Sequence, residues 1–155
     1  MKRILLLITL FSMSTFAKNH MLTGSSRSAY NYNTDSGSSF TASVGYYHSI
    51  SPTLQTGLDA SISLLSGPDI YSILPGVILN FSEDINSSKY FKVNAGIVDF
   101  DSIATELLLQ ASFGKRYAIT ENIVWSPSVQ ISSFPGVENS DPTLSINIFK
   151  MDLFF

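Results

Sequence analysis

The chain has 155 residues, 45% of them hydrophobic and only 14% charged, with a formal net charge of −3 and a mean hydropathy of +0.21. It contains no cysteine, which excludes a disulfide framework, a thiolate metal site and a cysteine nucleophile. An acidic balance without clustered cations argues against a nucleic-acid partner, because phosphate binding needs grouped Lys and Arg.

Lys2-Arg3, the apolar run Ile4 to Phe11 and the small-residue site Thr15-Phe16-Ala17 have the charged, apolar, small order of a secretory signal peptide. The apolar core is too short to span a membrane comfortably, so residues 1–17 are expected to be cleaved and residues 18–155 to form one domain. No later run is long enough for a membrane helix. From Met21 onward, segments of about ten residues alternate apolar and polar positions, separated by Gly, Pro, Asn, Asp and Ser clusters. That period of two predicts strands.

The first segment, Met21 to Tyr32, is weak, with a small-residue face and Arg27 opposite it. The second, Ser39 to Ser49, alternates cleanly, Phe40, Ala42, Val44, Tyr46 and His48 against Ser39, Thr41, Ser43, Gly45 and Tyr47. The third runs from Thr53 to Leu65 and carries Asp59 on its polar face. The fourth, Ile70 to Phe81, contains Pro75, which cannot donate to a ladder and predicts a bulge or a missing bond. The fifth sets Phe91, Val93, Ala95 and Ile97 against Tyr90, Lys92, Asn94 and Gly96, and the sixth sets Leu107, Leu109, Ala111 and Phe113 against Glu106, Leu108, Gln110 and Ser112. Pro127 interrupts the seventh, from Ile123 to Ser132. The eighth, Thr143 to Phe155, ends in the regular alternation Phe149, Met151, Leu153, Phe155, but Ile146 and Ile148 fall on the Lys150 face. A bulge near Ile148, or an apolar plug in the interior, would account for the slip.

No helical stripe interrupts these segments, so the expected fold is all-β, an antiparallel up-and-down barrel of about eight strands. Alternation alone leaves open whether the apolar face points outward to lipid or inward to a ligand. Phe40 and Tyr71 sit near one end of the apolar faces, and Tyr46, Phe81, Phe91, Phe113, Trp125 and Phe155 near the other. Two such rows match the aromatic girdles of a transmembrane barrel, and the opposite face is small and polar enough for a narrow interior. With both termini inside, the turns near Asp35, Asp69, Asp101 and the 134–142 loop fall outside the cell.

The signal peptide, the alternating strands, the tight turns and the terminal Phe155 together resemble the small outer-membrane barrels of the OmpA/OmpX-like superfamily. That resemblance implies a monomer in the outer membrane of a Gram-negative envelope, in contact with outer-membrane lipid and lipopolysaccharide. It also implies that Phe149, Met151, Leu153 and Phe155 serve recognition by the barrel-assembly machinery.

Folding the hairpins at their turns places Arg27, Ser43 and Asp59 level on the polar face, with Lys92, Gln110, Ser126 and Lys150 in a second row and Glu106 beside Gln130. The simplest reading is a structural polar network in the lumen; a gated, porin-like ion or water path is the alternative. His20 and His48 are the only histidines, and His48-Ser49 is only a dipeptide whose members face opposite ways, so catalysis is not expected. Lipid A deacylase or acyltransferase chemistry would need a His-Ser constellation that the sequence lacks. Neither a phosphate loop nor a paired-His metal motif appears, so no cofactor or metal is expected. Asp35, Asp69, Asp99, Asp101, Glu138 and Asp141 make the outer turns acidic, which suits solvated charge or divalent cations bridging to lipopolysaccharide. The sequence thus predicts a structural or cell-surface interaction role more clearly than any activity.

Overall fold

The computed structural model describes residues 19–29, 39–64, 69–100, 105–137 and 141–155, without the side chains of 27–29 and 39. The expected signal peptide and the turns at Asp35 and Asp101 lie outside these residues. Eleven strands are present: β1 (His20–Ala29), β2 (Ser39–Ser49), β3 (Leu54–Leu64), β4 (Ile70–Asn80), β5 (Lys89–Phe100), β6 (Thr105–Lys115), β7 (Tyr117–Ala118), β8 (Ile123–Trp125), β9 (Ser128–Ser133), β10 (Thr143–Asn147) and β11 (Lys150–Phe154). There is no helix among the described residues. The count exceeds the expected eight for local reasons. Ser126-Pro127 splits the seventh segment into β8 and β9, Ile148-Phe149 splits the eighth into β10 and β11, and β7 is a two-residue strand before the last short turn.

All eleven belong to one antiparallel sheet in which β1 through β6 pair consecutively. β6 pairs with β9, β9 with β10, and β11 pairs with β8 on one side and with β1 on the other. His20 and Phe155 exchange both backbone hydrogen bonds, at 3.0 and 2.9 Å, so the chain's last residue pairs with the first residue of β1.

The two faces of the sheet have opposite polarity. Along β4, Tyr71, Ile73, Pro75, Val77 and Leu79 are exposed while Ser72, Leu74, Ile78 and Asn80 are buried, and β5 repeats the pattern. Among the described residues, thirty large hydrophobic side chains are exposed and nine are buried. The buried face instead carries Lys92, Arg116, Lys150 and Asp152 among Ser, Thr, Asn and Gln. An interior this narrow is filled by side chains rather than left as a pore. Two small apolar clusters occupy its ends: Met21, Tyr47, Ile78, Tyr90, Val124 and Phe154 at the lower, short-turn end, and Leu74, Val98 and Leu108 with Phe134 toward the upper end.

The proline expectations divide. At Pro75 there is no bulge: the β4–β5 pairing omits Leu74 and Pro75 between Ile73↔Ile97 and Gly76↔Asn94 and resumes in the same register, so the ladder loses bonds and nothing else. In the last strand a bulge is present and the apolar plug is not. Asn147 opposes Ser128 whereas Met151 opposes Trp125, so three residues on one side face two on the other. The extra residue turns Ile146, Ile148 and Phe149 to the exposed outer face and leaves Lys150 inside.

Candidate functional site

The chemistry-bearing side chains converge in the interior, in two layers. The lower layer is built around Arg116, the first residue beyond β6, which is 1% exposed. Its Nε donates to Asp152 Oδ2 at 3.2 Å, one terminal nitrogen to Asn80 Oδ1 and the Ile85 carbonyl, and the other to Gln55 Oε1 at 3.2 Å. The guanidinium also lies 4.8 Å from the Tyr90 ring centroid and 5.3 Å from that of Phe154. Nearly every donor of the guanidinium is therefore engaged, which is the condition for burying it.

The upper layer holds Asp59, Lys92, Asn94 and Lys150. Lys92 forms an ion pair with Asp59, whose Oδ2 also accepts from Asn94 at 2.9 Å. Asn94 donates as well to Tyr47 Oη at 3.0 Å, and this contact depends on two glycines. Tyr47, Gly57, Gly76 and Asn94 are directly opposite one another on β2, β3, β4 and β5. A Cβ on Gly57 would fall 2.8 Å from the Tyr47 ring, and one on Gly76 2.6 Å from the Asn94 amide, so the two side chains meet by lying across bare backbone. The same device seats the second buried tyrosine, because Tyr90 lies against Gly114 across the strand pair. Lys150 donates to Tyr90 Oη at 2.9 Å, and Tyr90 donates to the Ser126 carbonyl at 3.2 Å. Above these groups is a cavity of about 120 Å³ whose lining includes Thr23, Ser43, Asp59, Lys92, Gln130 and Lys150.

The expected row Arg27–Ser43–Asp59 does not form. Arg27 opposes Thr41, Ser43 lies between Ser25 and Ser61, and Asp59 opposes Gly45 and Leu74. Adjacent strands are staggered, so positions equidistant from a turn need not be level around the sheet. The side chain of Arg27 lies outside the described residues, and Asp59 has Lys92 as its partner instead. Glu106 is not beside Gln130 either: it opposes Val98, and Gln130 opposes Ser112. Gln110 and Gln130 both line the cavity. Alternation puts Tyr47, Tyr90 and Gln55 on the polar face but does not single them out as members of the network, and Arg116 and Asn80, at strand ends, were not expected in it.

On the outer face, Phe40, Tyr46, Tyr71, Phe81, Phe91, Phe113 and Trp125 are all exposed. Phe149 and Met151 are exposed on the same face, and Leu153 and Phe155 are partly so. His20 and His48 meet as a directly opposed pair with ring centroids 4.9 Å apart, and Tyr46 Oη lies 2.6 Å from His20 Nδ1. Ser49 faces the other way, accepting from Gln55 at 3.3 Å, so the His48-Ser49 dipeptide brings no nucleophile to the imidazole. Asp35, Asp101 and Glu138 fall outside the described residues. No group of three or more His, Asp or Glu forms among those described.

No family model and no curated protein matches the sequence. Solved structures do. The crystal structure of Neisserial surface protein A, NspA, superposes with a TM-score of 0.56 at 16% identity, covering 88% of this chain and 95% of that one. The N-terminal β-barrel domain of Pseudomonas aeruginosa OprF gives 0.56 at 12% identity, covering 89% and 98%. A de novo designed transmembrane β-barrel gives 0.54 at 12%, covering 90% and 98%. The chain has the transmembrane β-barrel fold. Its exposed apolar face and polar interior are the arrangement that barrels of this fold adopt in a bilayer, where apolar side chains face lipid.

Proposed function

We propose that the protein is a small outer-membrane barrel of eight staves, exported by its signal peptide, with a structural or surface-interaction role and no catalytic one. In this reading β8–β9 and β10–β11 are single strands broken at Pro127 and at the Ile148 bulge, and the β1–β11 pairing closes the cylinder. The observation that carries it is the exposed apolar belt around a charged, hydrogen-bonded interior. A water-soluble protein rarely exposes contiguous apolar surface beyond a few hundred Å². The lengths agree: β2, β3, β4 and β6 each have 11 residues, and at about 3.4 Å per residue and a tilt near 45° they span the apolar band of roughly 25 Å.

The seven outer-face aromatics then form the girdles at the two interfaces, and Phe149, Met151, Leu153 and Phe155 present the signal to the barrel-assembly machinery. Lipid and lipopolysaccharide are the neighbours, and the barrel is monomeric. The lower layer favours a plug over a pore: Arg116, Asp152, Tyr90, Tyr47 and Phe154 are all at most 1% exposed. Fractionation together with migration in unboiled detergent gels tests the reading. A faster-migrating, membrane-associated form is expected; mature protein recovered from the soluble periplasm would overturn it. Folded protein in planar bilayers is expected to be silent, and discrete single-channel steps would restore the pore alternative.

A further inference from the structure

The buried charges of the described interior do not balance. Among the described residues the cations with less than a tenth of their surface exposed are Lys92, Arg116 and Lys150, and the carboxylates facing them are Asp59 and Asp152. Arg116 takes Asp152 and Lys92 takes Asp59, whose Oδ2 is already shared with Asn94. Lys150 is left with one hydrogen bond, to Tyr90 Oη, for three N–H donors, and it shares the attraction of Asp152 with Arg116 without contacting that carboxylate directly. Glu106, the remaining described carboxylate facing inward, is half-exposed and does not line the cavity. Three buried cations thus share two carboxylates, and an excess of one buried positive charge is costly.

We propose that the cavity is a binding site for a small monovalent anion of halide size, held by Lys150 together with Lys92. Both ammonium-bearing side chains line it. The rest of its wall is rich in hydroxyls, among them Thr23, Ser25, Ser43 and Ser61, each able to turn its proton toward an anion. Ser25 and Ser43 lie 2.6 Å apart, as do Ser61 and Ser72, so each pair offers a proton to its partner or to a guest. A volume of about 120 Å³ admits such an ion with several waters. The single excess charge selects a monovalent ion over sulfate or phosphate, and the Arg116–Asp152 layer beneath makes the cavity a dead end, suited to holding an ion and not to passing it.

Crystals of the detergent-folded protein grown in bromide test this directly. An anomalous peak in contact with Lys150 Nζ is expected, and bromide at surface positions only would overturn the proposal. In solution, bromide NMR linewidths should show excess broadening that chloride abolishes and sulfate at equal ionic strength leaves in place; displacement by sulfate to the same extent would also overturn it. In Lys150→Met the broadening and the peak should both be lost. If that variant does not fold, the two wild-type measurements decide alone.

Discussion

Lys115 and Arg116 are neighbours in sequence with opposite fates, one exposed and one 1% exposed. In the sequence Gly114-Lys115-Arg116 only brackets a reversal, and such a run beside a turn carries no apolar marker of burial. Extending the inward parity of Ser112 and Gly114 by one step would have found Arg116. Its interior partners Asn80, Gln55 and Asp152 come from three other strands, and no local pattern brings them together. Replacing Arg116 by Met leaves Asp152 buried without its hydrogen-bonded ion partner, a change expected to lower stability by about 3–5 kcal/mol in urea titrations of the lipid-folded protein. Arg116→Met with Asp152→Leu should recover most of that loss, since removing both charges removes the desolvation cost. At Gly57 an added Cβ would lie 2.0 Å from the Tyr46 carbonyl, so Gly57→Ala is expected to cost about 1–3 kcal/mol and to separate Tyr47 from Asn94.

The break in the last strand follows from its neighbour. Continued without a bulge, the β9–β10 register would bring Ile148 opposite Pro127, which has no N–H to offer. The strand buckles there, Ser126 N–H bonds Lys150 O at 2.9 Å, and the Trp125 indole donates to Ile148 O at 2.7 Å. Trp125→Phe keeps the aromatic ring but strands that carbonyl in an apolar environment, so a loss of about 1–3 kcal/mol is expected in the same titrations. Facing makes a sharper test. Deleting Phe149 restores regular alternation, with Asn147 in, Ile148 out and Lys150 in, whereas deleting Val93 reverses one half of β5. The first deletion should preserve heat-modifiable migration and the second should abolish it; equal outcomes would deny the bulge its role. The sequence showed that the period slips at Ile148, and Pro127 was visible too. Their pairing was not, because it requires the register between two strands.

At the level of the whole sheet, alternation made the two faces legible, while their row-by-row levels were hidden by the stagger between adjacent strands. A belt facing lipid has a property that no soluble sheet shares: the cost of a charge placed on it depends on depth. Val93 lies on the outer face well inside β5, opposite Val77 and Ala111, while Phe81 follows the last residue of β4 at the lower rim. Both are exposed, at 40% and 61%, so in water arginine at either position would be nearly neutral. In a bilayer the predictions separate. Val93→Arg should lose about 2–4 kcal/mol, because the guanidinium must be drawn into the hydrocarbon, and Phe81→Arg only about 0–1 kcal/mol, because its charge reaches the interface. Reversible unfolding in lipid vesicles measures both. A depth-independent pair of values would mean that the belt is covered by something other than lipid, whereas a steep difference would locate Val93 near the bilayer midplane and Phe81 at the girdle.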